Sequence, residues 1–235
     1  MILGDYKTPK FNPKKPIVAL TFDDGPTKHT TSILDTLQQC GGRASFFVQG
    51  DKIKDNRGKI IRAFNMECEI ICHGWNHADF TKLRKREVKK QLIDTITEIA
   101  RITGTASLMF RPPYGFINQN VVKIAQYLGV AIVNWSLDSC DWDVKDANIV
   151  HALIMSKVKD GDIILCHDDY ESTAIAMTRV IPELQAEGYQ LITVSEMLKH
   201  KYGSILPGTI YYDVRDEFEK WEPLLKKEPP LGEFF

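Results

Sequence analysis

The chain has 235 residues, 43% of them hydrophobic, and a formal net charge of −1 at pH 7. That length suits one α/β domain, or two small ones, with a sizeable buried core. The near-neutral charge gives no global attraction to nucleic acid or acidic membranes, and no segment approaches the roughly 18 apolar residues that span a bilayer. We therefore expect no nucleic-acid partner and no membrane contact from this segment, and we expect a monomer.

The N-terminal segment, MILGDYKTPKFNPKKP, lacks the apolar core of a signal peptide. Either the protein stays in the cytoplasm, or an export or anchor segment has been trimmed from the sequence. In the second case we expect an extracytoplasmic location, at the cell wall or anchored to the membrane. The five cysteines have no framework spacing, which argues against a disulfide-stapled fold and favours a reducing setting or an anaerobic host.

Short apolar runs alternate with helical patterns along the chain. We predict strands at 17–22, 43–48, 69–72, 108–110, 131–135, 162–166 and 190–193, and helices at 30–39, 58–64, 86–103, 118–127, 147–158, 173–187 and 195–199. This alternation predicts a parallel sheet with crossover helices. About seven such units suggest an α/β protein with a distorted, incomplete (β/α)7 barrel, and an open doubly wound sheet is the alternative.

The domain organisation follows from the same pattern. We interpret residues 1–15 as an N-terminal extension and residues 16–202 as one domain, since no linker or long repeat interrupts them. Residues 203–235 are rich in proline and charge. We therefore expect them to form a C-terminal extension that packs on the barrel.

Every unusual polar cluster follows a predicted strand. The clusters are Asp23-Asp24 after the first strand, HGWNH (His73–His77) after the third, RPPYG (Arg111–Gly115) after the fourth, DSCDW (Asp138–Trp142) after the fifth and His167 after the sixth. In a parallel barrel, the loops that follow the strands meet at one end and carry the active site. Five coincidences of this kind predict a catalytic site at that end.

The first two clusters offer ligands for a metal ion. His73 and His77 are separated by three residues, a spacing at which two imidazoles can chelate one ion. One carboxylate from Asp23 and Asp24 would complete a set that leaves positions open for water and substrate, as in hydrolytic metal sites. The second carboxylate would stay free to accept a proton from water. Each motif taken alone also fits a structural explanation, such as a capping turn, an exposed histidine pair or a stiff proline loop.

In this order, the motifs closely resemble those of the polysaccharide deacetylase family, also called the NodB-homology domain or carbohydrate esterase family four. TFDDGP, HGWNH, RPPYG, DSCDW and LCH match the five successive family motifs over about residues 16–199. The family fold is a distorted β/α barrel, which agrees with the strand count. The resemblance implies a hydrolase that removes acetyl groups from an N-acetylglucosamine polymer, with peptidoglycan first, chitin oligomers next and acetylated xylan (an ester substrate) third.

The resemblance also implies a metal centre and a base. Asp24, His73 and His77 would bind a divalent metal, expected to be Zn²⁺. Asp23 would be the general base that activates the attacking water. Arg111 would pair with Asp23 and fix its direction.

The remaining matched positions imply an acid and a substrate pocket. His167 would be the general acid, with Asp141 keeping its imidazole charged and oriented. A backbone N–H near Tyr114 would stabilise the tetrahedral oxyanion, and Pro113 and Tyr114 would contact the substrate. Two further substrate contacts, Trp142 and Leu165, would form a small apolar pocket for the acetyl methyl group.

One position departs from the family pattern. The family usually has serine or threonine after the first histidine, with a hydroxyl that fixes the metal loop, whereas this chain has Gly74. Both imidazoles remain, so metal binding should survive, but the rigidity of the loop and its metal affinity come into question. The neighbouring Trp75 is either a core aromatic or part of a rim that stacks on sugar.

Two other functions stay open. A non-catalytic carbohydrate-binding module would keep the fold, although a pure binder has no need of a proton-transfer pair. A cytoplasmic relative acting on a small amide or formyl compound is suggested by the missing export signal and the free thiols. The basic run Lys82–Lys90 would be the solvated start of a helix or, less favoured, a surface for an anionic polymer.

Overall fold

Strands and helices alternate in residues 11–214, the part of the chain that this computed structural model describes. The strands are β1 (Ile17–Gly25), β2 (Ser45–Val48), β3 (Glu69–Cys72), β4 (Met109–Phe110), β5 (Ala131–Val133), β6 (Leu137–Asp138), β7 (Ile163–His167), β8 (Gln190–Leu191) and β9 (Ile210–Tyr211). The α-helices are α1 (Thr30–Cys40), α2 (Gly50–Ile53), α3 (Arg57–Asn65), α4 (Lys85–Thr103), α5 (Gln119–Leu128), α6 (Asp141–Val144), α7 (Ala147–Lys157), α8 (Glu171–Ala186) and α9 (Val194–Tyr202). Each predicted strand and helix is present, and its bounds move by no more than three residues.

The strands form one curled, parallel sheet. Its order is β6-β7-β1-β2-β3-β4-β5-β9, and β8 pairs with the beginning of β1. The five strands from β1 to β5 lie side by side in chain order, so each crossover helix advances the sheet in one direction. A doubly wound sheet would reverse its direction near the middle. The predicted distorted (β/α)7 barrel is therefore confirmed.

The strands are buried on both faces, and their residues alternate between two apolar layers. In β1, Val18, Leu20 and Phe22 join the layer beneath the outer helices, while Ile17 and Ala19 join the inner layer. Helix α9 contributes three buried side chains to the inner layer and so fills the interior of the barrel. Double burial explains why β1 is apolar before Asp23 except for Thr21, whose hydroxyl donates to the carbonyl of Ile164.

Helix α4 shows the amphipathic pattern that the sequence predicts. Val88, Leu92 and Ile99 are buried, and Lys90 forms an ion pair with Asp94 on the outer face. The basic run at the start of α4 therefore belongs to a solvated helix surface. In residues 11–214, no helix combines the length and apolar composition that crossing a bilayer requires.

Strand β9 extends the sheet beyond β5. Ile210 and Tyr211 pair in parallel with β5. Just beyond β9, the backbone N–H of Val214 donates to the carbonyl of Gly161, 3.3 Å away and close to the start of β7. This segment thus links the two sides of the curled sheet. It belongs to the predicted C-terminal extension, of which residues 215–235 lie outside the described residues, as do residues 1–10 of the N-terminal extension.

Candidate active site

The predicted clusters meet at the carboxyl ends of the strands, around one cavity of about 450 Å³. Eight predicted site residues line it: Asp23, Asp24, His73, His77, Tyr114, Trp142, Leu165 and His167. Arg111 and Asp141 are fully buried, and each contacts a residue of the cavity wall. Pro113 is not among the described residues that line the cavity; it is buried in the 3-10 turn Pro113–Gly115, which carries Tyr114.

Asp24, His73 and His77 form a set of donor atoms that all lie within 4.8 Å of one another. Oδ1 of Asp24 is 3.2 Å from Nε2 of His77 and 3.5 Å from Nε2 of His73. Among the residues that the structure describes, no other group of three His, Cys, Asp or Glu side chains meets this spacing. One carboxylate oxygen and two imidazole nitrogens suit a divalent transition metal. The donor set therefore fits a divalent metal ion.

Both histidines present Nε2 toward Asp24. Nδ1 of His73 lies 2.9 Å from the carbonyl oxygen of Arg111. A carbonyl only accepts, so Nδ1 carries a hydrogen, and Nε2 is the nitrogen whose lone pair the neutral imidazole would offer to a metal. Burial lowers the pKa of His77 by more than the negative charge of Asp24 raises it. His77 is therefore mainly neutral at pH 7.

Asp24 is held as an oriented carboxylate. Burial raises the pKa of Asp24. The three nearby imidazoles and a hydrogen bond from Gln49 together lower this pKa by more than burial raises it, so the net shift is downward. Nε2 of Gln49 donates to Oδ1 of Asp24 at 2.6 Å, and Nζ of Lys52 donates to the Asp24 carbonyl at 2.7 Å. The side chain is thus ionised and fixed at neutral pH.

Asp23 is paired with a fully buried guanidinium. Nη1 of Arg111 donates to Oδ1 of Asp23 at 2.6 Å. Nε and Nη2 of Arg111 donate to the carbonyls of Val133 and Asn134 at 3.1 and 2.8 Å, which prevents the guanidinium from turning. The other carboxylate oxygen of Asp23 lies 3.7 Å from Nε2 of His73. One oxygen of Asp23 therefore faces the donor set of Asp24, His73 and His77, and Arg111 compensates the carboxylate charge through the other oxygen.

His167 is paired with a fully buried carboxylate. Asp141 accepts hydrogen bonds from Nδ1 and from the backbone N–H of His167, both at 2.7 Å, and from the hydroxyl of Thr173 at 2.6 Å. Burial lowers the pKa of His167, but the hydrogen bond and charge of Asp141 outweigh this effect and raise it to about 9. His167 is therefore an imidazolium at neutral pH. Nδ1 is engaged with Asp141, so Nε2 is the nitrogen that can donate a proton.

The backbone around the cavity is unusual. Asp24, His77, Tyr114 and Cys140 have φ angles of 71°, 57°, 62° and 55°, and they are four of only six described non-glycine residues with positive φ. A non-glycine residue in this left-handed region costs about 1–2 kcal/mol. Strain of this kind concentrates at functional sites, where the surrounding structure maintains it.

Exposed aromatic rings frame the cavity. The exposed fractions of Tyr114, Phe116 and Trp142 are 56%, 52% and 49%, whereas Leu165 is buried. The ring of Tyr114 lies 4.5 Å from that of His77 and 5.6 Å from that of Phe116, measured between centroids. Flat apolar faces beside a charged centre suit a ligand that has both apolar faces and polar edges.

Several supporting residues escaped the sequence analysis. Gln49 directly follows β2, so the rule that located the other clusters, a polar residue at the end of a strand, would have found it. Thr173 lies on α8 and Gln91 on α4, and neither carries a sequence signal. Trp75 fits neither of the two expectations for it: it is half-buried, it belongs to neither apolar layer, and it is not among the described residues that line the cavity. Its ring packs on Gly50, where an added Cβ would lie 2.4 Å from Cε3 of Trp75.

Gly74 has a backbone that disfavours any side chain. Its φ is 80°, and an added Cβ would lie 3.0 Å from Cζ of Phe80. We expect Gly74→Ala to lower the free energy of unfolding by about 1–2 kcal/mol, measured by denaturant unfolding of the metal-free protein. Gly58→Ala is the control, because Gly58 lies within α3 and an added Cβ would have no atom within 4 Å. That variant should gain about 0.5–1 kcal/mol, and a Gly74→Ala protein of wild-type stability would contradict the left-handed backbone.

Comparison with known proteins gives one consistent family. Residues 10–133 match the profile of the family described as polysaccharide deacetylase. The chain is 35% identical over 201 residues to the peptidoglycan-N-acetylglucosamine deacetylase PgdA of Listeria monocytogenes; the match covers 85% of this chain but only 42% of that protein. The chain thus spans less than half the length of this curated relative.

Two solved structures show the same architecture. The peptidoglycan deacetylase PdaC from Bacillus subtilis aligns with a TM-score of 0.79 and 34% identity, over 82% of this chain and 95% of that one. A family 4 acetyl xylan esterase from Clostridium thermocellum, in complex with a cobalt ion, aligns with a TM-score of 0.77 and 29% identity, over 84% of this chain and 98% of that one. The profile match alone spans more than half of the sequence. On these grounds, the chain belongs to the polysaccharide deacetylase family.

Proposed function

We propose that this chain is a metal-dependent deacetylase that removes acetyl groups from N-acetylglucosamine residues of peptidoglycan, with chitin oligomers as the next candidate substrate. One observation carries the proposal. A ligand set for a divalent metal shares a single cavity with the Asp23–Arg111 pair and the Asp141–His167 pair. The relatives described as peptidoglycan deacetylases support the choice of polymer.

Asp24, His73 and His77 would hold the metal, for which we propose Zn²⁺. When bound, a divalent metal polarises the scissile carbonyl and makes water more acidic. The donor set of one oxygen and two nitrogens supports zinc, and the cobalt ion in the C. thermocellum esterase supports a divalent ion in this family. Metal analysis of the purified protein identifies the ion.

The side chains of this chain would perform two proton transfers. Asp23 accepts a proton as the water oxygen forms a bond to the acetyl carbon, and the carbonyl oxygen becomes an oxyanion. A backbone N–H near Tyr114 donates a hydrogen bond to that oxyanion. The C–N bond then breaks, and His167 gives its Nε2 proton to the departing amine. The products are acetate and a glucosamine residue with a free amine.

The cavity wall supports a sugar substrate. Leu165 and Trp142 line one part of it and would contact the acetyl methyl group. Tyr114 and Phe116 would pack against the faces of pyranose rings, because their own rings are half exposed beside the metal ligands. Removal of acetyl groups along a polymer requires such an open, ring-lined surface rather than an enclosed pocket.

Acetate release tests this proposal. The purified protein is incubated with peptidoglycan, chitooligosaccharides or acetylxylan, with and without a chelator. We expect release from peptidoglycan, its loss after chelation, and its recovery when Zn²⁺ is added back. Release from acetylxylan alone would favour an esterase instead. Bound metal without acetate from any of the three would contradict the deacetylase and favour a carbohydrate-binding module.

A further inference from the structure

The segment from His73 to His77, here called the metal loop, has no regular secondary structure. It nevertheless has to keep two of the proposed ligands at the distance from each other at which both can bind one ion. His73 is fixed independently, because it directly follows β3 and its Nδ1 bonds to the carbonyl of Arg111. His77 lies at the far end of the loop, has a left-handed backbone and keeps 26% of its side chain exposed. The position of His77 relative to His73 therefore depends on what holds the three residues between them.

A single carboxamide contacts the middle of this loop. Oε1 of Gln91 accepts hydrogen bonds from the backbone N–H groups of Trp75 and Asn76, at 2.6 and 3.3 Å. Nε2 of Gln91 donates to the side-chain oxygen of Asn76 at 2.7 Å. Both ends of the carboxamide are thus used, and their roles are fixed, because backbone N–H groups only donate.

The carboxamide projects from a rigid support. Gln91 lies within α4, between buried residues of its apolar face, and the hydroxyl of Thr95 donates to the Gln91 carbonyl at 2.9 Å. From the other direction, the N–H groups of Gly50 and Asp51, at the start of α2, donate to the carbonyls of Gly74 and Trp75, each at 3.0 Å. Two helices therefore hold the metal loop: α2 donates hydrogen bonds to carbonyls of the loop, and Gln91 of α4 accepts hydrogen bonds from N–H groups of the loop.

We propose that Gln91 is a positioning residue that fixes the metal loop so that His77 meets the same ion as His73 and Asp24. Gly74 contributes no side chain to this task, so the side-chain contact that holds the loop comes from α4, which is distant in sequence. The inference rests on the proposed function in one respect, namely that these three side chains bind a metal. Residues that orient metal ligands typically alter affinity by about 10- to 100-fold when they are lost.

The test compares Zn²⁺ affinity, measured by competition with a chelator of known affinity, in four proteins. These are wild type, Gln91→Ala, Gln91→Glu and a control, Gln185→Ala, which removes a carboxamide that bonds to the Cys40 carbonyl far from the site. Gln91→Ala should weaken Zn²⁺ binding by about 10- to 100-fold. Gln91→Glu should recover most of this loss, because a carboxylate still accepts from both N–H groups and the Asn76 amide can turn to donate. The control should bind Zn²⁺ as wild type does.

Unfolding of the metal-free proteins separates positioning from general destabilisation. Gln91→Ala loses three hydrogen bonds and Gln185→Ala one, so Gln91→Ala should be the less stable of the two but should still unfold in one cooperative transition. If Gln91→Ala does not fold, Asn76→Ala removes only the third hydrogen bond and should weaken Zn²⁺ binding by a smaller factor. Wild-type affinity in Gln91→Ala, or in Asn76→Ala where that variant replaces it, would overturn the inference. An equal loss of affinity in Gln91→Glu and Gln91→Ala would also overturn it.

The same measurements separate this inference from the proposed function. A wild type that binds no Zn²⁺ would overturn this inference and the proposed metal together. Zn²⁺ binding without acetate release would count against the deacetylase alone.

Discussion

Asp23→Asn is expected to reduce the kcat for acetate release roughly 10²- to 10⁴-fold, the range typical for loss of a general base. The amide cannot accept a proton from water, and it still accepts a hydrogen bond from Arg111. Asp24, His73 and His77 stay in place, so the variant should bind Zn²⁺ with nearly wild-type affinity. Acetate assays at saturating substrate, together with a metal titration of the same preparation, measure both quantities.

The same substitution one residue later should give the opposite pattern. Asp24→Asn removes the only charged ligand of the set, so Zn²⁺ affinity should fall steeply and activity should return in part at high Zn²⁺ concentration. Activity of Asp23→Asn should not respond to added Zn²⁺. An Asp23→Asn protein that releases acetate at the wild-type rate, or that loses Zn²⁺ as readily as Asp24→Asn does, would show that the two carboxylates have been assigned the wrong roles.

Asp141→Asn is expected to move the alkaline limit of activity to lower pH and to reduce kcat/KM by roughly 10²- to 10⁴-fold at neutral pH. In the metal-free protein, burial lowers the pKa of His167, and the hydrogen bond and charge of Asp141 then raise it to about 9, from an ordinary value of 6.5. Without the Asp141 charge the pKa falls, because only the charges of Asp23 and Asp24 still oppose the effect of burial. A smaller fraction of His167 would then carry a proton that it can give to the departing amine.

The pH dependence can be followed in two ways. Proton NMR of the metal-free protein should show His167 titrating near pH 9 in wild type and at clearly lower pH in Asp141→Asn. A bound divalent cation repels the imidazolium, so the alkaline limb of kcat/KM should lie below pH 9 in the loaded enzyme. Asp143→Asn, an exposed carboxylate on the same short helix α6, is the control and should leave both unchanged. An unshifted His167 titration in Asp141→Asn would refute the pairing as the cause of the raised pKa.

The free energy of unfolding should depend on pH through the same pair of residues, Asp141 and His167. The folded pKa of His167 lies above its unfolded value, so the charged pair contributes stability that is fully present below about pH 6.5. This contribution disappears as the pH rises through about 9. Asp141→Asn should remove this part of the pH dependence, which denaturant unfolding at several pH values will show.

The long, doubly buried elements could be predicted from the sequence. β1 begins with an apolar run that only Thr21 interrupts, and α4 repeats apolar residues at helical intervals. The first pattern indicates a buried strand and the second a helix. β6, β9, α2 and α6 were missed because segments of two to four residues are too short to display a period. Pairing with neighbouring strands, rather than local preference, places β6 and β9 in the sheet.

The site was predictable to the extent that its residues follow strands. Asp23, Asp24 and His167 stand at the ends of β1 and β7, and parallel register brings those ends together. Arg111 was expected beside Asp23, but its bonds to the carbonyls of Val133 and Asn134 depend on three-dimensional packing. Thr173 and Gln91 act from helices, where a polar residue looks like ordinary surface until the neighbouring loop is known.

Strand β9 decides where this protein can be shortened or fused to another. Ending the polypeptide at Tyr202, after α9, would remove Ile210 and Tyr211 and expose the free hydrogen-bonding edge of β5. An uncovered edge invites intermolecular pairing and aggregation. The loss would also open the inner apolar layer, where Tyr211 is 2% exposed. A junction with a tag or a partner module therefore belongs beyond Val214, even though every proposed metal ligand and proton-transfer residue lies well before that point.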